Sequence, residues 1–273
     1  MISDLLFFTC VNILLAWSVY VVLLTGNLSF AQGAFMAFGC YIAGLLTTKL
    51  NVPLLPAIGT AAVATAVIAA ILGYPALRLR GIYLILVTLG ITVCVRIVLE
   101  NAEIVGGVGG LGGMMGADVY TAAAAVVIVG AGLWVLSVSP VQRVLDAIRE
   151  DDRVAAAMGI NTTYVRLVCF ALGAAIAAIG GALYGHFMNF VRPDTFDVLL
   201  SIYVVLYVIL GGVNNIFGPA LGAAAMTFIP EYFRVLADWR PTVFGAVILV
   251  MLLFRPDGLL SFRLLTARGR NLR

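Results

Sequence analysis

Twenty uncharged residues, VYTAAAAVVIVGAGLWVLSV (119–138), run directly into a polar island, SPVQRVLDAIREDDRVAAAMGINTTY (139–164). At ~1.5 Å per helical residue the first part covers about 30 Å, the thickness of a bilayer's hydrocarbon core. The second part is too polar to sit there. Its Val141, Val144, Leu145 and Ile148 recur at helical spacing on one face, while Arg143, Asp146, Arg149 and Glu150 lie mostly elsewhere. Asp151 and Asp152 suit the start of a second helix, and Gly159 suits its end. The island therefore reads as two short surface helices, with Asn161, Thr162 and Thr163 available to cap the span that follows.

Apolar runs of similar kind cover residues 5–24, 34–48, 54–73, 82–99, 167–187, 198–213, 219–236 and 241–254. With 63% hydrophobic and only 11% charged residues in a chain of 273, a soluble domain with a polar shell is excluded. The expected fold is an all-α, polytopic integral membrane protein of about eight or nine transmembrane helices. The runs at 34–48 and 198–213 are short and bordered by glycine, which points to broken or re-entrant segments. Met1–Asp4 carry no basic leader and no small-residue cleavage site follows the first run, so that run is expected to be a retained span. The whole of residues 1–273 reads as one membrane domain, with a surface loop at about 139–165 and a basic tail at about 255–273.

The net charge of +3 is spread over segment ends, so no nucleic-acid surface is expected. The arginines report topology instead. Arg78 and Arg80, the group around the island, and the tail from Arg255 to Arg273 are all expected to be cytoplasmic. The stretches around Asn51, 100–118, 188–197 and 237–240 then face outward. Cys10, Cys40, Cys94 and Cys169 lie in apolar runs without metal-ligand spacing and are expected to be buried free thiols.

Two stretches interrupt apolar runs with glycine and amides: GNLSFAQG (26–33) and GGVNNIFGP (211–219). Backbone freed at membrane depth must be satisfied by protein or by a water-filled cavity, so paired interruptions mark Asn27, Ser29, Gln32, Gly33, Gly211, Gly212 and Asn214 as candidates for a solute path. Ordinary surface loops, or small-residue contacts between helices, are equally open readings. The glycine-rich IVGGVGGLGGMMG (104–116) resembles a phosphate-binding loop but lacks the lysine and hydroxyl; the sole lysine of the chain is Lys49. It is expected to be a flexible outward loop that accommodates a docking partner. Arg96 and Glu100, four residues apart, are expected to pair, and the sole histidine, His186, to be a satisfied interfacial residue. No nucleophile with a base at recognisable spacing is present, so no enzyme active site is expected.

Several segments together resemble one family. GNLSFAQGAFMAFGCYIAGLL (26–46), RGIYLILVTLGITVCVRIVLEN (80–101), AIREDDRVAAAMGIN (147–161), the stretch 180–196, the run 208–223 and FRPDGL (254–259) are similar to motifs of the inner-membrane permeases of branched-chain amino acid ABC importers. The resemblance covers nearly the whole chain. Ala31-Gln32-Gly33 departs from the commoner Gly-Gln or Gly-His order.

That resemblance implies a path formed with a second, similar permease subunit, driven by two cytoplasmic ATPases and supplied by a periplasmic binding protein, in a bacterial inner membrane with a cytoplasmic C-terminus. It implies no cofactor on this chain, ATP being used by the partner ATPases. It implies a coupling role for Arg149, Glu150, Asp151, Ala155, Ala156, Met158 and Gly159, with Ala155, Ala156, Met158 and Gly159 packing into a groove on the ATPase, and it adds Thr88 to the path. The same family also serves urea, amides and aromatic or other organic acids. An ATP-independent channel or secondary transporter is the competing class; it calls for titratable groups at mid-membrane, whereas the charges here lie mainly near span ends.

Overall fold

The computed structural model describes residues 2–79, 81–213, 215–232 and 245. Among the described residues, ten α-helices follow in chain order: α1 Ile2–Leu23, α2 Gln32–Leu50, α3 Leu54–Ala76, α4 Ile82–Asn101, α5 Val119–Val138, α6 Pro140–Glu150, α7 Asp152–Ala157, α8 Thr162–Met188, α9 Val198–Gly211 and α10 Phe217–Tyr232. Among the described residues, seven helical segments are long and apolar enough to cross a membrane, and α10 is a shorter apolar helix. The chain is an all-α integral membrane protein. The run at 241–254 (apart from Gly245), Arg80, Asn214 and the tail at 255–273 lie outside the described residues.

The 27-residue α8, about 40 Å long at ~1.5 Å per residue, is the axis on which α1, α2 and α3 pack. Close approach depends on missing side chains: a Cβ on Gly39 would overlap the Ala178 backbone, and one on Gly181 would overlap that of Met36. Aromatic rings fill the seams, with Phe7 stacked on Phe187 (centroids 3.8 Å) and Phe35 edge-on to Phe170 (5.3 Å). The outer helices α4 and α5 bury only a small share of their length and present Leu86, Val93, Ile97, Val127, Ile128 and Val135 outward, an apolar face suited to hydrocarbon.

Three expectations need correction. The run expected at 34–48 is a full helix of 19 residues, because Gln32 and Gly33 already lie in its first turn and Thr47–Leu50 continue it. The thiols are all free, yet only Cys40 and Cys169 are buried; Cys10 is half-buried, and Cys94 is exposed on the outer face of α4. The glycine-rich stretch is not a free loop. Leu111–Gly112 (β1) pairs antiparallel with Phe190–Val191 (β2), and Lys49 Nζ donates to the Ile104 carbonyl at 2.9 Å. Main-chain pairing pins it where side chains are absent.

Candidate functional site

Between α1 and α2 the chain runs without helix from Asn27 to Ala31, and the backbone groups of Phe30 are taken up by hydroxyls of α4. The Phe30 N–H donates to Thr88 Oγ1 (3.1 Å), and Thr92 Oγ1 donates to the Phe30 carbonyl (2.9 Å). Three residues later, in the first turn of α2, the Gly33 N–H donates to Ser201 Oγ on α9 (2.9 Å). Ser29 is buried, and its Oγ accepts from the Ala31 N–H (3.2 Å), while Asn27 Nδ2 reaches Thr25 Oγ1 (3.5 Å).

Thr88 and Thr92 stand six and ten residues beyond Ile82, about 9 and 15 Å along a helix of about 30 Å. The break is therefore well inside the membrane-spanning length, and α2 begins there. An unpaired buried backbone group costs about 1–3 kcal/mol, so three hydroxyls on two helices are a substantial part of what lets this segment exist. Gln32, the first residue of α2, is wholly buried, and neither its Oε1 nor its Nε2 has a hydrogen-bond partner.

The second interruption is built differently. Helices α9 and α10 form a hairpin so tight that a Cβ on Gly211 would overlap the Gly218 backbone. The indole of Trp17 on α1 donates to the Ile216 carbonyl (2.9 Å) inside the turn. Gly212 closes α9 with its N–H on the Val208 carbonyl (2.9 Å). Gly211 lies ten residues, about 15 Å along α9, from Ser201. The structure thus gathers Ser29, Gln32, Gly33 and Thr88 at one break and sets Gly211 and Gly212 apart at another; Asn214 lies outside the described residues. Thr92 and Ser201 belong to the first break and escape sequence reading, because a hydroxyl in an apolar run ordinarily bonds its own helix.

The polar island forms the two helices expected of it. In α6, Leu145 and Ile148 are buried while Val141 at the other end of the stripe is exposed. Arg149 meets the α1–α2 connection: a methyl group added at Gly26 would stand 3.6 Å from Arg149 Cα. Glu150 ends α6, and Asp151 caps α7, its Oδ1 accepting from the N–H groups of Arg153 (2.8 Å) and Val154 (3.2 Å). Gly159, at φ +85°, closes α7: its N–H donates to the Ala156 carbonyl (3.0 Å) and that of Ile160 to the Ala155 carbonyl (3.2 Å), the bonding of a Schellman stop. Asn161 then caps α8 by accepting from the Tyr164 N–H (3.1 Å). An ion pair between Arg166 and Asp152 (3.2 Å) ties α7 to α8.

Met158, 75% exposed, and exposed Ala156 and Gly159 face away from the bundle. Ala155 does not: at 1% exposure it packs into the chain itself, so its place in a partner's groove is withdrawn. A helix of six residues must turn one side inward, and Ala155 with its small side chain occupies that side.

Two other expected groups are satisfied. Arg96 Nε donates to Glu100 Oε1 (2.8 Å), and Arg96 also reaches Asp197 Oδ1 at 3.4 Å, joining α4 to the start of α9. His186 is buried, with Nδ1 2.7 Å from the Ala182 carbonyl and Nε2 2.9 Å from Thr47 Oγ1. A cavity of about 380 Å³ lies between α1, α8 and α9, with Met36 in its wall.

Comparison with known proteins accords with these features. The chain is 29% identical to the high-affinity branched-chain amino acid transport system permease protein LivM of Salmonella typhimurium, covering 94% of this chain and 69% of that protein. Against LivH of the same organism identity is also 29%, over 44% of this chain and 39% of that protein. The autoinducer 2 import system permease protein LsrC of Escherichia coli is 26% identical over 96% of this chain and 79% of its own length. No solved structure matches. The profile of the family described as branched-chain amino acid transport system / permease component matches residues 1–255, and the chain belongs to that family.

Proposed function

We propose that this chain is one permease subunit of an ATP-binding-cassette importer for branched-chain amino acids in a bacterial inner membrane. A second, similar permease subunit completes the path. Two separate ATPase chains in the cytoplasm use the ATP, this chain binding none itself, and a periplasmic binding protein delivers the solute. Relatives named as branched-chain amino acid permeases support the solute class. The relative named for autoinducer 2 import makes other solutes the alternative, with urea, amides and aromatic or organic acids among them.

The observation that carries the reading is the proximity of Arg149 to Gly26, where an added Cβ would stand 3.6 Å from Arg149 Cα. Gly26 opens the connection that leads, four residues later, to the hydroxyl clamp on Phe30. A motor gripping the exposed side of α6 and α7 through Glu150, Asp151, Ala156, Met158 and Gly159 pushes on Gly26, the residue just before the broken segment. Ala155 and the Asp152–Arg166 pair keep α7 rigidly attached while it does so. Alternating access then follows from rigid movement of the bundle, biased by the two states of the ATPases.

Purification in mild detergent tests the partners. Co-purification of a soluble ATPase whose hydrolysis rises with a liganded binding protein is the expected result. Gradient-driven uptake by this chain alone, with no ATPase attached, would overturn the reading. The binding protein's rise in melting temperature with leucine, isoleucine or valine, but not with urea or benzoate, tests the solute.

A further inference from the structure

The hydroxyls around the first break are all engaged: those of Ser29, Thr88 and Ser201 accept from backbone N–H groups, and that of Thr92 donates to a carbonyl. Gln32 stands among them wholly buried, with a carboxamide that neither gives nor accepts a hydrogen bond. Such a group offers two donors and two acceptor sites, and buried polar groups in folded proteins are nearly always paired. An apolar residue of the same shape would hold this position more stably if packing were its purpose. The vacancy in its bonding therefore points to a group that comes and goes.

The place of Gln32 says which group. It is the first residue of a 19-residue helix that starts inside the membrane, where the backbone dipole leaves partial positive charge. Half-way helix starts of this kind attract anionic parts of a solute. One turn further along the same face of α2, Met36 lines the cavity of about 380 Å³ between α1, α8 and α9. That cavity is large enough for a small amino acid, and its wall is mixed: Val11, Leu15, Leu200 and Val204 are aliphatic, while Asn12, Asp194 and Asp197 are polar.

Resting on the importer reading, we propose that Gln32 and the first turn of α2 bind the carboxylate of the passing solute, whose aliphatic side chain lies toward Met36. The ligand class is a small aliphatic carboxylate, zwitterionic or anionic. The Gln32 carboxamide that would receive it is wholly buried and unpaired.

The test uses the full complex of both permeases, both ATPases and the binding protein in proteoliposomes, with radiolabelled leucine as probe. Gln32→Leu should leave the melting temperature of the complex unchanged or raised, because it removes an unpaired buried amide, and should lower leucine uptake at least tenfold. Gln32→Glu, which sets a carboxylate against a carboxylate, should lose at least as much uptake. A Gln32→Leu complex that imports leucine within twofold of the wild type overturns the inference and leaves the importer reading standing. A wild-type complex that moves no leucine under ATP overturns the importer reading for this solute class.

A second measurement does not depend on uptake. Gln32→Cys is treated with an anionic methanethiosulfonate, and its labelling is compared with that of the parent chain. Labelling during ATP turnover that leucine slows is expected; no labelling above the parent in any nucleotide state overturns the inference.

Discussion

Thr88 and Thr92, one helical turn apart on α4, hold the N–H and the carbonyl of the same residue, Phe30, at 3.1 and 2.9 Å. Spacing of four puts both hydroxyls on one face, which is the geometry needed to grip a strand of chain crossing the helix. Thr92→Val keeps the shape and removes the donor, leaving a part-buried carbonyl without that partner. We expect a loss of about 1–3 kcal/mol, read as a lower melting temperature in detergent, with Thr92→Ser close to wild type.

The second break rests on Trp17 rather than on hydroxyls. Trp17→Phe retains most of the buried ring and deletes the bond to the Ile216 carbonyl. A destabilisation of about 1–3 kcal/mol is expected, together with faster proteolysis in the stretch joining α9 and α10; unchanged proteolysis would argue that the turn is held by its glycines alone.

At Gly159 the backbone is left-handed and a Cβ would meet nothing within 4 Å. Gly159→Val is therefore strained by conformation and not by collision, by roughly 1–3 kcal/mol. Membrane insertion should be normal while ATP-driven transport falls sharply; transport at the wild-type rate would remove α7 from the coupling route.

Ala155 and Met158, three residues apart, should separate stability from partnership. Met158→Asp is expected to leave the thermal midpoint of the isolated chain in place and to weaken capture of the ATPase. Ala155→Leu forces extra methylenes into a packed contact and should lower the midpoint by about 1–3 kcal/mol equivalent. The reverse pattern would mean that α7 is turned the other way in the complex.

Much of this architecture was readable from residue order. Hydropathy located the spans, and the caps at Asp151, Gly159 and Asn161 were signalled by residue types whose backbone chemistry has few uses. The start of α2 was misread because Gln32 and Gly33 look like loop residues; burial inside the bundle overrode that preference. Thr92 and Ser201 went unnoticed because nothing in their own neighbourhoods differs from hydroxyls that bond back within a helix, as Thr92 also does to the Thr88 carbonyl at 3.3 Å. Pairing of Leu111–Gly112 with Phe190–Val191 was invisible for a plainer reason: it joins backbones about 80 positions apart and involves no side-chain pattern.

Thr47 touches His186 near the end of α8 farthest from the 139–164 helices, and Lys49 follows two residues later. Since no other lysine exists in the chain, every ε-amine it owns is at that extremity. A bulky amine-directed reagent that cannot permeate lipid, applied to sealed cells and then to inverted vesicles, consequently reads the sidedness of the whole bundle once the label is mapped to Lys49 and not to the N-terminal α-amine.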